Sequence, residues 1–246
     1  MKNQTEEYKT PQKKQPFFSF VKNVMRLFYK RPKVTSLSGD IPDRAIFVSN
    51  HCNKRGPVVL TLYMPKAFCP WGAHEMLGGY MSRLRYLRDV YYVQKRGYRR
   101  FPATVCATFE AFFSIWFYRG MHFISSYSDT RLYETIKESM AAIDHDFPVL
   151  VVPENSSEGY KEILTEFFPG FVMLALYYYR KHGVDLPVYP VYYHDKTQNI
   201  MIGEPSYVQD YVKAGFDKKA IAEEFRKKVN ALHDRILQCK TVPAVG

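Results

Sequence analysis

The sequence predicts an α/β domain: a central mixed, mostly parallel sheet flanked by helices. Three observations carry that expectation. Short β-branched and aromatic runs, such as Ala45-Ile46-Phe47-Val48 and Pro148-Val149-Leu150-Val151-Val152, read as buried strands. They alternate with segments of helical periodicity, the pattern that builds layered α/β domains. The chain has 246 residues, 46% of them hydrophobic, enough for one sizeable core with appendages and far from the composition of a disordered chain.

Taken in order, residues 1–16 form a polar tail rich in Lys and Gln. Pro16 opens a helical pattern, and residues 17–31 are expected to form an amphipathic interfacial helix. Phe17, Phe20, Val21, Val24, Leu27 and Phe28 fall on one face, with Ser19, Lys22, Asn23, Arg26 and Lys30 on the other. Such a helix either lies in a membrane interface or packs on the domain. Residues 32–246 make the α/β domain. The strand Ala45–Val48 delivers the polar run Ser49-Asn50-His51-Cys52-Asn53-Lys54-Arg55-Gly56 as the loop at its C-terminal end, and Pro57 starts a helix after it. In open α/β sheets, reactive groups gather at that end of the strands, and a histidine there can exchange a proton near neutral pH.

Lys66 to Trp71 reads as a further strand. Residues 81–100 are dense in Arg and Lys interleaved with Tyr, and residues 103–118 are apolar except for Glu110. A basic segment joined to a short apolar helix predicts a membrane-contact insertion that docks on an anionic leaflet. His122–Ile124 reads as a strand and Leu132–Ile143 as a helix. Pro148–Val152 delivers a second strand-end loop, Pro153-Glu154-Asn155-Ser156-Ser157-Glu158-Gly159. A helix over Glu166–Tyr179, strands over Leu186–Tyr193 and Asn199–Ile202, and a charged amphipathic helix from about Lys218 to Leu237 complete the chain.

Composition narrows the partners. A net charge of +11 seeks anions, and an aromatic content of 16% suits a membrane–water interface. Nucleic acid is not expected, because no binding motif is present and the basic cluster sits beside an apolar helix. Cys52, Cys69, Cys106 and Cys239 show no metal or redox spacing, so reduced thiols in a cytoplasmic setting are the expectation, with no metal site. The first residues are polar, so no secretory leader is expected, and no stretch reaches the roughly 18 to 20 apolar residues that span a bilayer.

The order of motifs resembles the glycerolipid acyltransferase family, the lysophosphatidic acid acyltransferase-like enzymes. Gly39-Asp40-Ile41-Pro42 stands at that family's Gly-x-x-x-Pro turn, and Asn50-His51 begins its Asn-His-x-x-x-x-Asp signature. Pro153-Glu154 matches the start of Pro-Glu-Gly-Thr-Arg. Phe168-Pro169-Gly170-Phe171, Pro187-Val188-Tyr189-Pro190-Val191 and Gly203-Glu204-Pro205 follow the later motifs. The resemblance implies acyl transfer from a thioester, on coenzyme A or acyl carrier protein as co-substrate, to a lipid hydroxyl, without a further cofactor. It implies His51 as the base and Glu154 as the matching third-motif acid; Asn50, Lys54, Arg55, Asn155 and Ser156 beside them are expected, with Glu154, to bind substrate. The charge, the aromatic residues and the short apolar run together predict peripheral attachment to the cytoplasmic face of a membrane, an anionic surface.

Two departures stand out. The family's aspartate position is Gly56, and the phosphate-binding Gly-Thr-Arg is Asn155-Ser156-Ser157. Loss of the carboxylate partner costs roughly 10³ to 10⁴ in rate by analogy with a catalytic triad. Two functions therefore stay open. One is an acyltransferase in which another carboxylate (Glu154, Glu158 or Asp129) replaces the aspartate, and Lys54, Arg55 or Lys161 supplies positive charge. The other is an inactive protein of the same fold that binds lipid or membrane.

Overall fold

Eight strands form one sheet in the computed structural model, which describes residues 11–12, 14–52, 55–127, 129–156 and 159–241. They are Lys33–Ser36 (β1), Ile46–Ser49 (β2), Cys69–Ala73 (β3), Ile124–Ser126 (β4), Val149–Val151 (β5), Pro187–His194 (β6), Asn199–Ile202 (β7) and Ser206–Tyr207 (β8). The spatial order is β1-β7-β6-β2-β5-β3-β4, and β8 joins β6. All neighbours run parallel except the β6–β7 and β6–β8 pairs. This is the mixed, mostly parallel sheet that the strand-like runs predict. The central strands are buried on both faces, so they read as continuous apolar runs and not as alternating ones.

Helices Pro16–Arg26 (α1), Arg55–Tyr63 (α2), Tyr80–Arg85 (α3), Arg100–Gly120 (α4), Leu132–Asp144 (α5), Gly170–His182 (α6), Val208–Lys213 (α7) and Lys218–Thr241 (α8) cover the sheet and its ends. One core gathers α5, α6 and α8 against one face of the sheet. A second lies under α2, around Phe47, Leu60 and Tyr193.

Residues 81–100, expected as part of a membrane-contact insertion, fold as α3 followed by a π-helical segment, Tyr86–Lys95, which packs on α4. Ala103, Ala107 and Ala111 stand four apart on one stripe of α4 and are fully buried, so the π-helical segment can approach closely. Arg83 is itself buried and donates to the backbone carbonyls of Ala111 and Gly78. A guanidinium in the core is tolerated here because those carbonyls satisfy it.

The outer side of α4 is different. Phe101, Phe109, Phe112, Phe113 and Trp116 are each more than half exposed. The α1 segment adds Phe17 and Phe20, and Leu27 and Phe28 beyond its end, exposed to the same degree. Phe17 meets Trp116 edge-on at 6.2 Å and Phe18 packs on Phe117, so the two helices share one apolar surface. Their crossing needs Gly120, where an added Cβ would lie 2.2 Å from the Phe18 ring. The helix predicted over 17–31 thus ends sooner, at Arg26; it packs on the domain and leaves several apolar side chains exposed. No described helix is long and apolar enough to cross a membrane.

Candidate active site

The site forms because β2 and β5 are parallel neighbours. Val48 pairs with Val151 and Ser49 with Val191 of β6, so the loops after β2 and β5 leave the sheet at the same end. Residues far apart in sequence, His51 and Glu154, meet there as strand-end residues of one crevice.

Asn50 fixes where the chain leaves β2. Its side-chain carbonyl accepts the Tyr193 N–H and its amide donates to the Tyr193 carbonyl, both at 2.9 Å, and the residue is buried. Asn50 thus continues the β2–β6 ladder with its side chain, and its position is that of a brace under His51. Cys52 then adopts a φ of +43°, which turns the chain sharply. Gly56, in the first turn of α2, lies against His51. A Cβ there would lie 2.1 Å from the His51 carbonyl oxygen and 2.8 Å from its carbonyl carbon. The position that holds an aspartate in the resembled family is therefore closed here by backbone. Lys54 lies outside the described residues, and Arg55 is described only as the backbone that opens α2.

Glu154 lies against His51 through the main chain. Its carboxylate accepts the His51 backbone N–H, while its Oε1 atom is buried without a hydrogen-bond partner. Burial pushes the carboxyl up to about 7, against the opposing pull of that N–H and of the Lys95 ammonium. Near neutral pH Glu154 is then divided between acid and carboxylate. Asn155 faces away, its amide donating to the Glu166 carboxylate at 2.8 Å. The Ser156 hydroxyl accepts a 2.8 Å hydrogen bond from the Lys95 ammonium.

Two residues enter the site that the sequence did not single out. The Tyr160 ring stacks on the His51 imidazole, with centroids 4.3 Å apart and planes 23° from parallel. Lys95, the last residue of the π-helical segment, lies over the Tyr160 ring at 5.3 Å. The basic stretch had hidden Lys95 among surface cations. The only available hint was its place at the end of an aromatic run. Burial lowers its ammonium below the ordinary lysine range, with Glu154 acting the other way.

A cavity of about 140 Å³ opens beside His51, walled by Val58, Trp71, Leu87, Phe117, Tyr118 and Tyr160 among others. Its walls are mainly apolar. Glu110 reaches it too, with its carboxylate accepting from the Tyr92 hydroxyl at 2.7 Å. A second cavity of about 100 Å³ is mixed in character, bordered by Asn50, Cys52, Tyr160, Lys161, Glu162, Asp195 and Lys196 among others. Tyr160 borders both. Burial pushes the Cys52 thiol up to about 11, so it stays protonated at neutral pH and is no nucleophile.

The other carboxylates considered for the aspartate's place are elsewhere or undescribed. Asp129 pairs with Arg131 at 2.6 Å on the surface, and that guanidinium holds its carboxyl down at about 2. Glu158 lies outside the described residues. Among the described residues, no group of three or more metal-ligating side chains comes together.

No protein-family model matches the sequence, and no curated protein sequence matches it. Among solved structures, the chain is similar to the 1-acyl-sn-glycerophosphate acyltransferase PlsC from Thermotoga maritima. The identity is 16% and the TM-score 0.48, over 92% of this chain and 82% of that one. The likeness concerns the path of the chain, and the functional reading rests on the site.

Proposed function

We propose that this protein transfers a fatty acyl group from an acyl thioester, carried by coenzyme A or acyl carrier protein, to the hydroxyl of a lysophospholipid or another lipid acceptor. One observation carries the reading: His51 and Glu154 converge at the carboxyl end of parallel strands, beside an apolar cavity. In the proposed reaction the His51 imidazole takes the proton of the acceptor hydroxyl as its oxygen attacks the thioester carbonyl. The C–O bond forms, the tetrahedral intermediate collapses, the C–S bond breaks, and the leaving sulfur takes the proton back from the imidazolium. The apolar cavity suits an alkyl chain. Asn50 positions the histidine through Tyr193, and stacking on Tyr160 orients the ring.

The same reading places the protein on an anionic membrane surface, the cytoplasmic leaflet, through the shared apolar face of α1 and α4. The inner side of α4 reaches the cavity through Phe117 and Tyr118, so a lipid substrate has one helix to pass between bilayer and base. Each basic residue near an anionic surface adds about 1 kcal/mol, and apolar side chains add to that as they enter the interface.

A second reading, a lipid-binding protein without turnover, draws on Gly56, where no carboxylate can stand. The experiment that separates the two is acyl transfer from labelled long-chain acyl-CoA and acyl carrier protein to a panel of lysophospholipids and phosphate-free acceptors. His51→Ala is assayed beside the native protein. Transfer that falls by about 10⁴ in the variant supports the enzyme. Absence of transfer with every acceptor, from a folded protein, supports the binder.

A further inference from the structure

We propose that Glu110 and the aromatic rings around it form an ammonium site in the cavity beside His51, and that the acyl acceptor is a lipid whose headgroup carries that ammonium. The proposal rests on the acyl-transfer reading given above and names the class of acceptor.

The cavity combines one acid with several rings. Glu110 lines it together with Trp71, Tyr86, Tyr91, Tyr118 and His51. Along α4, Glu110 directly precedes Ala111 of the buried stripe, which turns its side chain inward. The Tyr92 hydroxyl donates to its Oε2 atom at 2.7 Å, and Tyr91 meets Tyr92 edge-on at 4.9 Å. Burial and the bond to Glu110 hold the Tyr92 phenol well above its ordinary range, so the phenol is the donor. The π-helical segment thereby fixes the carboxylate at the cavity wall.

The charges around the cavity decide the sign. Glu75 acts on Tyr86. Glu154 and Lys95 oppose each other beside Tyr160. Arg96 stands near Tyr91, and Arg83 near Tyr118. None of these lines the cavity; among the described residues that do, Glu110 is the one carboxylate, and His51 is the other titratable group besides the tyrosines. The faces of Tyr and Trp rings attract cations, so rings and carboxylate favour the same sign, and an anion is disfavoured by both. Drawing a carboxylate toward apolar walls costs free energy that a bound cation offsets.

An alkylammonium fits this wall better than a metal ion does. A hard cation needs several oxygen ligands, and no group of three or more metal-ligating side chains comes together among the described residues. An ammonium gives its charge to the carboxylate and its flanking methylene or N-methyl groups to the rings. Those carbons suit the apolar walls as an alkyl chain does. A cavity of about 140 Å³ has the size of a small headgroup. Because His51 lines the same cavity, one molecule can set its hydroxyl at the imidazole and its ammonium at Glu110.

The test reads the indole N–H NMR signal of Trp71, which lines the cavity; the chain has two tryptophans, and Trp116→Phe assigns the pair. The probes are choline, its uncharged carbon isostere dimethylbutanol, hexanoyl lysophosphatidylethanolamine and hexanoyl lysophosphatidate, each added separately without acyl donor. The native protein is expected to bind choline about tenfold more tightly than the isostere, and the ethanolamine lipid about tenfold more tightly than lysophosphatidate. Glu110→Gln keeps an acceptor for the Tyr92 hydroxyl and removes the charge, so both preferences should vanish. Equal binding of charged and uncharged probes by the native protein overturns the proposal without recourse to a variant. A preference that survives in a Glu110→Gln protein of native Tm overturns it as well. Binding of choline without binding of the ethanolamine lipid overturns the acceptor assignment.

In acyl transfer, the ratio of kcat/KM for the ethanolamine lipid over lysophosphatidate should fall about tenfold in Glu110→Gln. The binding arm needs no turnover. A protein that holds ammonium lipids and transfers nothing keeps the ammonium site and loses the acyl-transfer reading. A working enzyme indifferent to the ammonium keeps the proposed function and loses this inference.

Discussion

Replacing Gly56 with aspartate restores in sequence the carboxylate that the resembled acyltransferases carry five residues after the histidine. If the residue had simply been lost, the replacement would raise transfer by as much as roughly 10⁴. The turn predicts the opposite. A Cβ at this position falls 2.1 Å from the His51 carbonyl oxygen and 2.8 Å from its carbon, both backbone atoms that no rotamer change can move aside. The His51 backbone and the start of α2 must move apart, and the proposed base itself carries the distortion. Overpacking of this kind costs about 1–3 kcal/mol or more. For a chain of this size, that is a fall in Tm of about 2–12 °C. The assays are thermal unfolding and acyl transfer, with Gly56→Ala as the uncharged control. Both variants are expected to be destabilised to a similar degree, and neither to exceed native transfer. A Gly56→Asp protein as stable as the native one and at least tenfold faster would refute the steric reasoning.

Two further predictions concern burial and the exposed face. Glu154 titrates at about 7 when folded and near 4.5 when unfolded, so the folded state holds its proton to higher pH. Stability is therefore greatest below about pH 4.5 as far as this group is concerned. It falls by about 3 kcal/mol as pH rises through 7. Urea midpoints between pH 4.5 and 8 should show that fall in the native protein and a flatter profile in Glu154→Gln. A slope unchanged in the variant would remove Glu154 as its source. On the outer face of α4, replacing Phe109, Phe112, Phe113 and Trp116 together by serine should abolish flotation with anionic liposomes while leaving the Tm within a few degrees, because these side chains are mostly exposed. Native binding should weaken with salt. Retention of binding by the fourfold variant would place the membrane contact elsewhere.

Much of the architecture follows from local pattern. Ile46–Ser49, Val149–Val151 and Pro187–His194 are strands because β-branched and aromatic runs of that length satisfy a sheet buried on both faces. By contrast β1, with its mostly exposed Lys33–Ser36, carries no such run and was not foreseen. It is a strand because β7 offers it a parallel edge. The charge density of residues 81–100 concealed the helical register of Leu87 and Tyr91, which are buried. Charge count describes what a segment is made of, whereas the direction of each side chain depends on the helix beneath it. That is why Arg83 could be in the core and Lys95 in the site.

The sequence by itself determined that His51 and Glu154 follow buried strands and that residues near the N-terminus and over 103–118 are rich in apolar side chains; that the two strands are parallel neighbours came from the sheet. The first two properties depend on neighbours in the chain and on strand and helix periods. Tertiary structure alone decided which ring rests on His51, which cation reaches it, that Asn50 braces β6, and that Gly56 leaves no room for a carboxylate. Each of those depends on ångström-scale distances between segments far apart in sequence, and such distances are set by packing, not by composition or period.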